Sequence, residues 1–348
     1  MPDTDTRAPA DHESPRPAPD VSARRRALTR SLIISAVVVL PLVLVVGIDL
    51  DACAAGFRKL DARHALALFG FYASAALLRG FRLQALLPAG VSLPRLVTVS
   101  FRHQFFATFM PFKTGEAALP IILKGDGVPM SRSIAVLVLT RALDLLALLT
   151  VLSVAYLLTR HDLPPELNGL GSVLLAIWLG ATGLAAWILI GGKRTAASLR
   201  ARLPRFFDHF GKWGASAARA VDSIIAATLE IPLGRVLRGL LISLGVWSAL
   251  AAYNGVLFDQ IVGGQPLAVW VVLAMFLSLG SQIPIQGFAG IGTTEALTVV
   301  LLASVGIPKE AALAAGVVIH AVQILFCGLI GVLGFVAALR VRSRGTGD

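Results

Sequence analysis

The sequence predicts an all-α polytopic membrane protein, built as an inverted repeat of helices with two opposed re-entrant hairpins. Hydrophobic residues make up 56% of the 348 residues and charged residues only 15%, with a mean hydropathy of +0.78, whereas roughly a quarter of the residues of a soluble domain are charged. The basic residues collect in a few connecting segments, as they do on the cytoplasmic side of membrane proteins. Two apolar segments are interrupted by proline, glycine and glutamate, a pattern typical of transporters with inverted repeats.

Six apolar runs approach or reach the length of about 20 residues that a membrane-spanning helix requires. They cover residues 31–47, 65–78 (extending toward 87), 134–158, 171–190, 240–258 and 311–339. Together with the two interrupted segments they define a transmembrane domain over residues 31–339, with halves at about 31–165 and 166–339.

The distribution of charge predicts the orientation. Residues 1–30 are rich in Pro, Asp and Ala and end in a cluster of arginines, so we expect a disordered, basic cytoplasmic tail. The run at 31–47 then acts as a retained signal anchor. The basic loop 191–238 and the tail 340–348 also belong in the cytoplasm, so both termini lie inside an inner (plasma) membrane protein. Part of the loop, about 213–229, is either an amphipathic helix on the anionic inner leaflet or a solvated loop that only sets topology.

The first interrupted segment, FMPFKTGEAALP, covers residues 109–120. Pro111, Lys113, Gly115 and Glu116 break a stretch whose flanks are apolar enough for lipid. Broken backbone at membrane depth is tolerated only where protein or a water-filled cavity surrounds it, and a charged residue there is a candidate for function. Since basic residues flank both ends, we expect a hairpin that enters from the cytoplasm.

The second interrupted segment, SQIPIQGFAGIGTTEALTVV, covers residues 281–300. Pro284, Gly292 and Glu295 are rough counterparts, at different spacing, of the proline, glycine and glutamate of the first segment. Its ends are predicted to lie outside, so this hairpin enters from the opposite face. The two tips then meet near the midplane, where such transporters bind their substrates.

Each glutamate has two compatible interpretations. As a carboxylate within the membrane, Glu116 or Glu295 binds a proton, a cation or a lipid head group. As a helix-terminal residue it stabilises the second half-helix, with Thr114 as the cap and Glu116 in the first turn, where an acid suits the helix dipole. Lys113 is expected either to pair with Glu116 or to meet a phosphate.

Ionisable residues also occur in the uninterrupted spans. Arg141 and Asp144 are three positions apart on one face of a helix, a spacing that allows an ion pair, for structural neutralisation or as part of a pathway. His320 and Gln323, also three apart, occupy the corresponding part of the last span. His320 is interpreted as a hydrogen-bonded structural residue or as a proton relay.

Other polar residues surround the interrupted segments. Arg102 is expected either to draw an anionic head group from the inner leaflet or to snorkel to the interface. Gln282 and Gln286 flank the proline of the second segment, where they line a polar cavity or satisfy freed backbone groups. Arg79 and Arg82 are interpreted as topology determinants.

Several classes of site have no support in the sequence. Cytoplasmic basic segments account for the net charge of +11, so no nucleic-acid partner is predicted. There is no Walker loop, HExxH or CxxC motif, and the glycines of GFAGIG do not follow a strand. Cys53 and Cys327 are far apart and predict neither a disulfide framework nor a metal site. We therefore expect no cofactor and no metal, and no nucleophile–base pair indicates an enzyme.

Three motifs together resemble the flippase-like membrane domain of the lysylphosphatidylglycerol synthase family, over roughly residues 31–339. They are FMPFKTGEAALP, with Pro111, Gly115 and Glu116; TRALDLL, with Arg141 and Asp144; and IPIQGFAGIGTTEA, with Pro284, Gly287, Gly290, Gly292 and Glu295. The resemblance implies movement of a lipid between leaflets. There are two departures: Thr140 stands where family members often have an acid, and the sequence stops at Asp348, where the synthases continue into a soluble transferase domain. Aminoacyl transfer is therefore not carried over.

The leading hypothesis is a lipid flippase or transporter, and not an enzyme, with Glu116 and Glu295 at the central site. Its substrate is a phospholipid or a modified lipid of the aminoacylated, glycan-linked or hopanoid type, and its partners are membrane lipids with anionic head groups. One alternative is an intramembrane transferase that acts on a lipid head group. The other is a non-catalytic membrane partner that anchors a lipid-synthesis enzyme through the loop 191–238.

Overall fold

The computed structural model describes residues 49–88, 90–163, 169, 171–183, 211–283 and 287–344. These residues are helical or lie in connections, and they contain no strand. The helices are α1 (Leu50–Arg58), α2 (Ala62–Leu86), α3 (Leu93–Phe109), α4 (Ala118–Gly125), α5 (Met130–Thr159), α6 (Gly171–Gly183), α7 (Gly211–Leu229), α8 (Leu233–Ile261), α9 (Leu267–Gly280), α10 (Thr293–Ala303) and α11 (Lys309–Arg344). Two 3₁₀ turns, Pro111–Ala117 and Phe288–Gly290, precede α4 and α10.

Helices α2, α5, α8 and α11 are long and apolar enough to cross a membrane. They confirm the spans predicted at 65–78, 134–158, 240–258 and 311–339. The predicted span at 31–47 lies outside the described residues, as does the fourth span after Gly183. Large apolar side chains stay exposed on the spanning helices, among them Leu158 at 78% and Leu241 at 69%, and such apolar faces suit contact with lipid.

The segment before α2 forms the short helix α1. Asp49 caps α1 by accepting a hydrogen bond from the Ala52 backbone N–H at 2.9 Å, and Asp61 caps α2 by accepting one from the His64 N–H at 2.8 Å. The hydrogen bond from the His64 backbone holds the pKa of the Asp61 carboxyl below its ordinary value. Polar capping therefore fixes the point at which α2 begins.

Close helix crossings depend on small residues, as is common in membrane proteins. A Cβ atom on Gly80 of α2 would lie 2.7 Å from Val97 Cγ2 and 2.9 Å from Val97 Cα in α3. A Cβ atom on Gly331 of α11 would lie 2.5 Å from Phe105 Cδ2 in α3. Helix α3 is thereby held tightly between α2 and α11.

An aromatic cluster joins the long helices. The rings of Tyr72 in α2 and Tyr253 in α8 pack edge to face with centroids 5.3 Å apart, and Phe326 of α11 lies 6.1 Å from each. Trp270 of α9 is fully buried beside Phe258 of α8, at 6.2 Å. Each aromatic pair contributes about 0.5–1.5 kcal/mol beyond its buried area, so this cluster is a rigid base for the polar site beside it.

Helix α7 forms within the predicted basic loop. Arg132 at the start of α5 donates from Nη1 to the Ala227 carbonyl at 2.6 Å and lies 3.6 Å from Glu230 Oε2. The helical interpretation is therefore confirmed and the loop interpretation is wrong for this part. Residues 191–210 lie outside the described ranges, and the contact of α7 with an inner leaflet stays a prediction.

The chain is broken at both predicted interruptions. After α3 it passes through the Pro111–Ala117 turn, and α4 then packs against α3 and α5. After α9 it passes through the second turn before α10 begins. The rings of Phe109 and Phe288 have centroids 6.2 Å apart, so the two interrupted segments meet.

Candidate functional site

A polar cavity of about 150 Å³ lies where the two interrupted segments meet, among α2, α5, α8 and α11. Its charged lining consists of Arg79, Lys113, Glu116, Arg141 and Asp144. Charged groups among apolar helices are costly unless they are paired or bind a ligand. This cavity is therefore the candidate functional site.

The first interrupted segment reaches the cavity because its backbone leaves helical geometry. Phe112 (φ 53°, ψ 32°) and Lys113 (φ 56°, ψ 16°) adopt the left-handed conformation, at a cost of about 1–3 kcal/mol each for residues other than glycine. Gly115 packs so closely against α3 that a Cβ atom would lie 1.8 Å from the Phe106 carbonyl oxygen. This bent backbone holds Glu116 against the side chains of α3 and α5.

Glu116 is the centre of a three-residue network. Its Oε2 accepts a hydrogen bond from Arg141 Nη2 at 2.5 Å and lies 3.2 Å from His103 Nε2. Helix α4 begins only at Ala118, and the Thr114 hydroxyl donates to a carbonyl instead of accepting from a helix N–H. The capping interpretation is therefore wrong for Glu116, because the chain stays in a 3₁₀ turn past this residue.

A second network is buried between α2, α5 and α8. Arg82 makes a bidentate ion pair with Asp144, and their side chains are 6% and 5% exposed. Arg82 Nη1 also donates to Ser243 Oγ at 2.8 Å, and Trp247 Nε1 donates to Asp144 Oδ1 at 3.2 Å. The predicted ion pair between Arg141 and Asp144 is confirmed at 3.7 Å, but Arg82 is the closer partner of Asp144.

The interpretation of Arg79 and Arg82 as topology determinants misses their contacts. Arg82 is buried in the ion pair, and Arg79 lines the cavity. Their three-residue spacing places both on one face of α2. This shared face was the signal in the sequence that could have indicated a role inside the protein. The partner of Arg82, Asp144 on α5, is distant in sequence, so no local pattern identifies it.

The second interrupted segment has a similar backbone. Ala289 (φ 52°), Gly290 (φ 79°) and Gly292 (φ 88°) have positive φ, and α10 begins at Thr293. Glu295 Oε2 accepts a hydrogen bond from the Gly292 backbone N–H at 2.7 Å. The capping interpretation is therefore confirmed for Glu295.

Glu295 also has a side-chain partner on α11. Its Oε1 lies 2.6 Å from His320 Nδ1, and His320 Nε2 lies 2.9 Å from the Ala289 carbonyl oxygen. His320 is 4% exposed and forms part of the cavity wall. The hydrogen-bonded interpretation of His320 is confirmed, while its role as a proton relay stays a prediction.

The two glutamates have equivalent partners. Glu116 pairs with Arg141, and Glu295 pairs with His320, in each case 25 positions further along the chain. Each segment also has a threonine hydroxyl that donates to the carbonyl three positions earlier. The similarity of the segments therefore extends from composition to hydrogen bonding.

The remaining predicted residues lie in different places. Arg102 is not among the described residues that line the cavity, and its guanidinium carbon lies 5.9 Å from the centroid of the Phe335 ring. Pro111 starts the 3₁₀ turn of the first segment. Pro284 lies outside the described residues. Gln282 lines the cavity and donates to a backbone carbonyl of α9 at 3.1 Å, so both of its interpretations hold.

The lining of the cavity has an excess of positive charge. Its three cations face two carboxylates, and Asp144 is already neutralised by Arg82, which lies behind the lining. Arg141 contacts Glu116, but neither Arg79 nor Lys113 has an ion-pair partner within the described part of the chain. A buried excess of cations of this kind favours an anionic ligand.

Comparison with protein families matches residues 29–331 to the family described as the lysylphosphatidylglycerol synthase TM region. This range contains both interrupted segments and every residue that lines the cavity, and it confirms the resemblance found in the sequence motifs. Comparisons with curated proteins and with solved structures gave no match.

Proposed function

Because the chain belongs to the lysylphosphatidylglycerol synthase TM region family, we propose that it is a flippase or transporter, and not an enzyme, that moves a lipid between leaflets. The lipid is a phospholipid or a modified lipid of the aminoacylated, glycan-linked or hopanoid type. The observation that carries this proposal is the positively charged cavity between the two interrupted segments. The head group passes through this cavity while the acyl chains remain in the bilayer.

An anionic head group supplies the charge that the cavity lacks. Arg79 and Lys113 line the cavity without a carboxylate partner among the described residues. Guanidinium groups bind phosphate oxygens through paired, charge-assisted hydrogen bonds. The Arg141 side chain is 40% exposed while it contacts Glu116, so it has room to contact the head group as well.

The proposal includes an inverted repeat with two re-entrant hairpins. Support comes from the equal 25-residue separation of the glutamate pairs and from the contact between the segments at Phe109 and Phe288. In this arrangement α3 and α4 enter from the cytoplasm, and α9 and α10 enter from outside, so rocking of the halves exposes the cavity to each side in turn. The basic segments support an orientation with both termini in the cytoplasm of an inner-membrane protein. In this orientation the basic segment 191–238 is available to a lipid-synthesis enzyme.

Arg79→Gln is expected to weaken binding of short-chain phosphatidylglycerol by about 10- to 100-fold. The loss follows from removing charge-assisted hydrogen bonds that contribute about 1.5–3 kcal/mol. Calorimetric titration of the purified protein in detergent measures this affinity. Arg102→Gln is the matched control, since it removes the same charge from α3 at a site outside the cavity lining. An equal loss in both variants would show a nonspecific charge effect and contradict the assignment.

Transport is tested by following a labelled anionic lipid between the leaflets of proteoliposomes. We expect folded Glu116→Gln and Glu295→Gln proteins to move the lipid more slowly than wild type, because each substitution removes the carboxylate that holds an interrupted segment to a spanning helix. Unchanged rates in both variants would contradict the assignment of the two glutamates.

A further inference from the structure

His320 lies between two hydrogen-bond acceptors. Its Nε2 is 2.9 Å from the Ala289 carbonyl oxygen, and its Nδ1 is 2.6 Å from Glu295 Oε1. A carbonyl oxygen only accepts, so Nε2 carries a hydrogen. Two bare acceptors repel at 2.6 Å, so a proton also lies between Nδ1 and Oε1. Whether that proton resides on the imidazole or on the carboxyl, the pair contains it.

The equivalent pair of the first segment has no such proton to release. Glu116 is paired with Arg141, and an arginine side chain keeps its charge at every pH that proteins meet. The two pairs therefore differ in the partner 25 positions after each glutamate, and Glu116 has an additional contact with His103 at 3.2 Å. The first segment is held by a permanent ion pair, and the second by a pair whose proton is removable.

We propose that Glu295 and His320 form a proton-binding site that couples proton movement to lipid movement. This inference rests on the proposed function. Removal of the proton would leave Nδ1 facing a carboxylate, and the contact between α10 and α11 would break. His320 also holds the carbonyl of Ala289, whose φ of 52° is left-handed. A neutral imidazole has one N–H, so after deprotonation His320 can hold either Glu295 or the backbone of the second segment, but not both.

The surroundings of the pair indicate what drives protonation. The charged and titratable groups around the same cavity are Arg79 and Tyr72 of α2, Lys113 and Glu116 of the first segment, Arg141 and Asp144 of α5, and Tyr253 of α8, with His103 of α3 behind Glu116. The excess of positive charge disfavours the extra proton, and an anionic head group in the cavity offsets that charge. Anion and proton therefore favour each other's binding, and this coupling is reciprocal.

The expected behaviour is symport of one proton with one anionic lipid. In proteoliposomes with a pH difference of one unit, wild type should accumulate labelled phosphatidylglycerol in the leaflet that faces the alkaline side. The steady-state ratio between leaflets should reach up to about tenfold, because one pH unit corresponds to a tenfold equilibrium ratio for one coupled proton. A pH-sensitive dye inside the vesicles should report proton entry with the lipid.

His320→Arg is the informative variant, since it gives the second segment the same kind of permanent ion pair as the first. We expect it to lose the pH-driven asymmetry, to a ratio near one. His64→Gln is the matched control, because His64 pairs with the exposed Asp61 at the start of α2, and it should keep the asymmetry. Two results would overturn the proton site while leaving the transport function in place. One is a wild-type protein that moves lipid but gives the same leaflet ratio with and without the pH difference. The other is a His320→Arg protein whose leaflet ratio still depends on the pH difference.

A second measurement counts the protons bound at the site and does not depend on lipid transport. Wild type and the double variant Glu295→Gln/His320→Gln are titrated in detergent across the whole pH range in which both proteins stay folded. Wild type should release about one proton more than the double variant, whose fold is checked by circular dichroism. No difference between the two curves would overturn the site, whether or not wild type moves lipid.

Discussion

Replacing Gly115 with alanine is expected to destabilise the protein more than the addition of a methyl group at any other position in the first interrupted segment. The added Cβ atom would lie 1.8 Å from the carbonyl oxygen and 2.3 Å from the carbonyl carbon of Phe106. Both are backbone atoms, so neither can rotate away. We expect the free energy of unfolding to fall by at least about 3 kcal/mol, the upper end of overpacking costs, as measured by chemical or thermal unfolding in detergent.

Gly125→Ala is the matched control for this prediction. Gly125 ends α4, ten positions after Gly115, and a Cβ atom there would meet nothing within 4 Å. Alanine favours a helix over glycine by about 1 kcal/mol, so this variant should be as stable as wild type or slightly more stable. Equal stability of the two variants would show that the first segment does not pack on α3 as described.

Asp144→Ala is expected to lower the free energy of unfolding by about 3–5 kcal/mol, the usual cost of leaving one member of a buried ion pair without its partner. The Arg82 guanidinium would keep its hydrogen bond to Ser243 but lose both carboxylate oxygens. Unfolding of the purified variant in detergent provides the measurement. The double variant Arg82→Met/Asp144→Ala should be more stable than Asp144→Ala alone, because no buried charge is left unpaired.

An exposed ion pair provides the contrast. Glu230 is 74% exposed beside Arg132, and such surface pairs contribute at most about 1 kcal/mol. We therefore expect Glu230→Gln to change stability by no more than that amount. If Asp144→Ala lowered the free energy of unfolding as little as Glu230→Gln, the buried network between α2, α5 and α8 would not stabilise the fold.

Hydropathy and backbone chemistry were sufficient to predict the long helices and both interruptions. A run of apolar residues must be helical within a membrane because its backbone groups have no other partners, and α5 and α11 follow from that alone. Proline and glycine near Glu116 and Glu295 identified the breaks. Charge spacing predicted the contact between Arg141 and Asp144, since residues three apart share a helix face.

Contacts between distant parts of the chain could not be predicted in the same way. The positive-inside rule counts Arg82 as a loop charge, and only packing of α2 against α5 and α8 reveals that it is buried. One interpretation placed Glu116 in the first turn of a helix capped by Thr114, but the left-handed Phe112 and Lys113 delay the start of α4.

The most direct test of the central claim is lipid translocation by the purified wild-type protein in proteoliposomes. Labelled phosphatidylglycerol and labelled phosphatidylcholine are followed in parallel, with protein-free vesicles as the reference. The positively charged cavity predicts that the protein moves the anionic lipid faster than the zwitterionic one, and that Glu116→Gln slows this movement at least about tenfold, as expected for loss of a charge-assisted hydrogen bond. Movement of phosphatidylglycerol no faster than in protein-free vesicles, by protein shown to be folded, would contradict the claim.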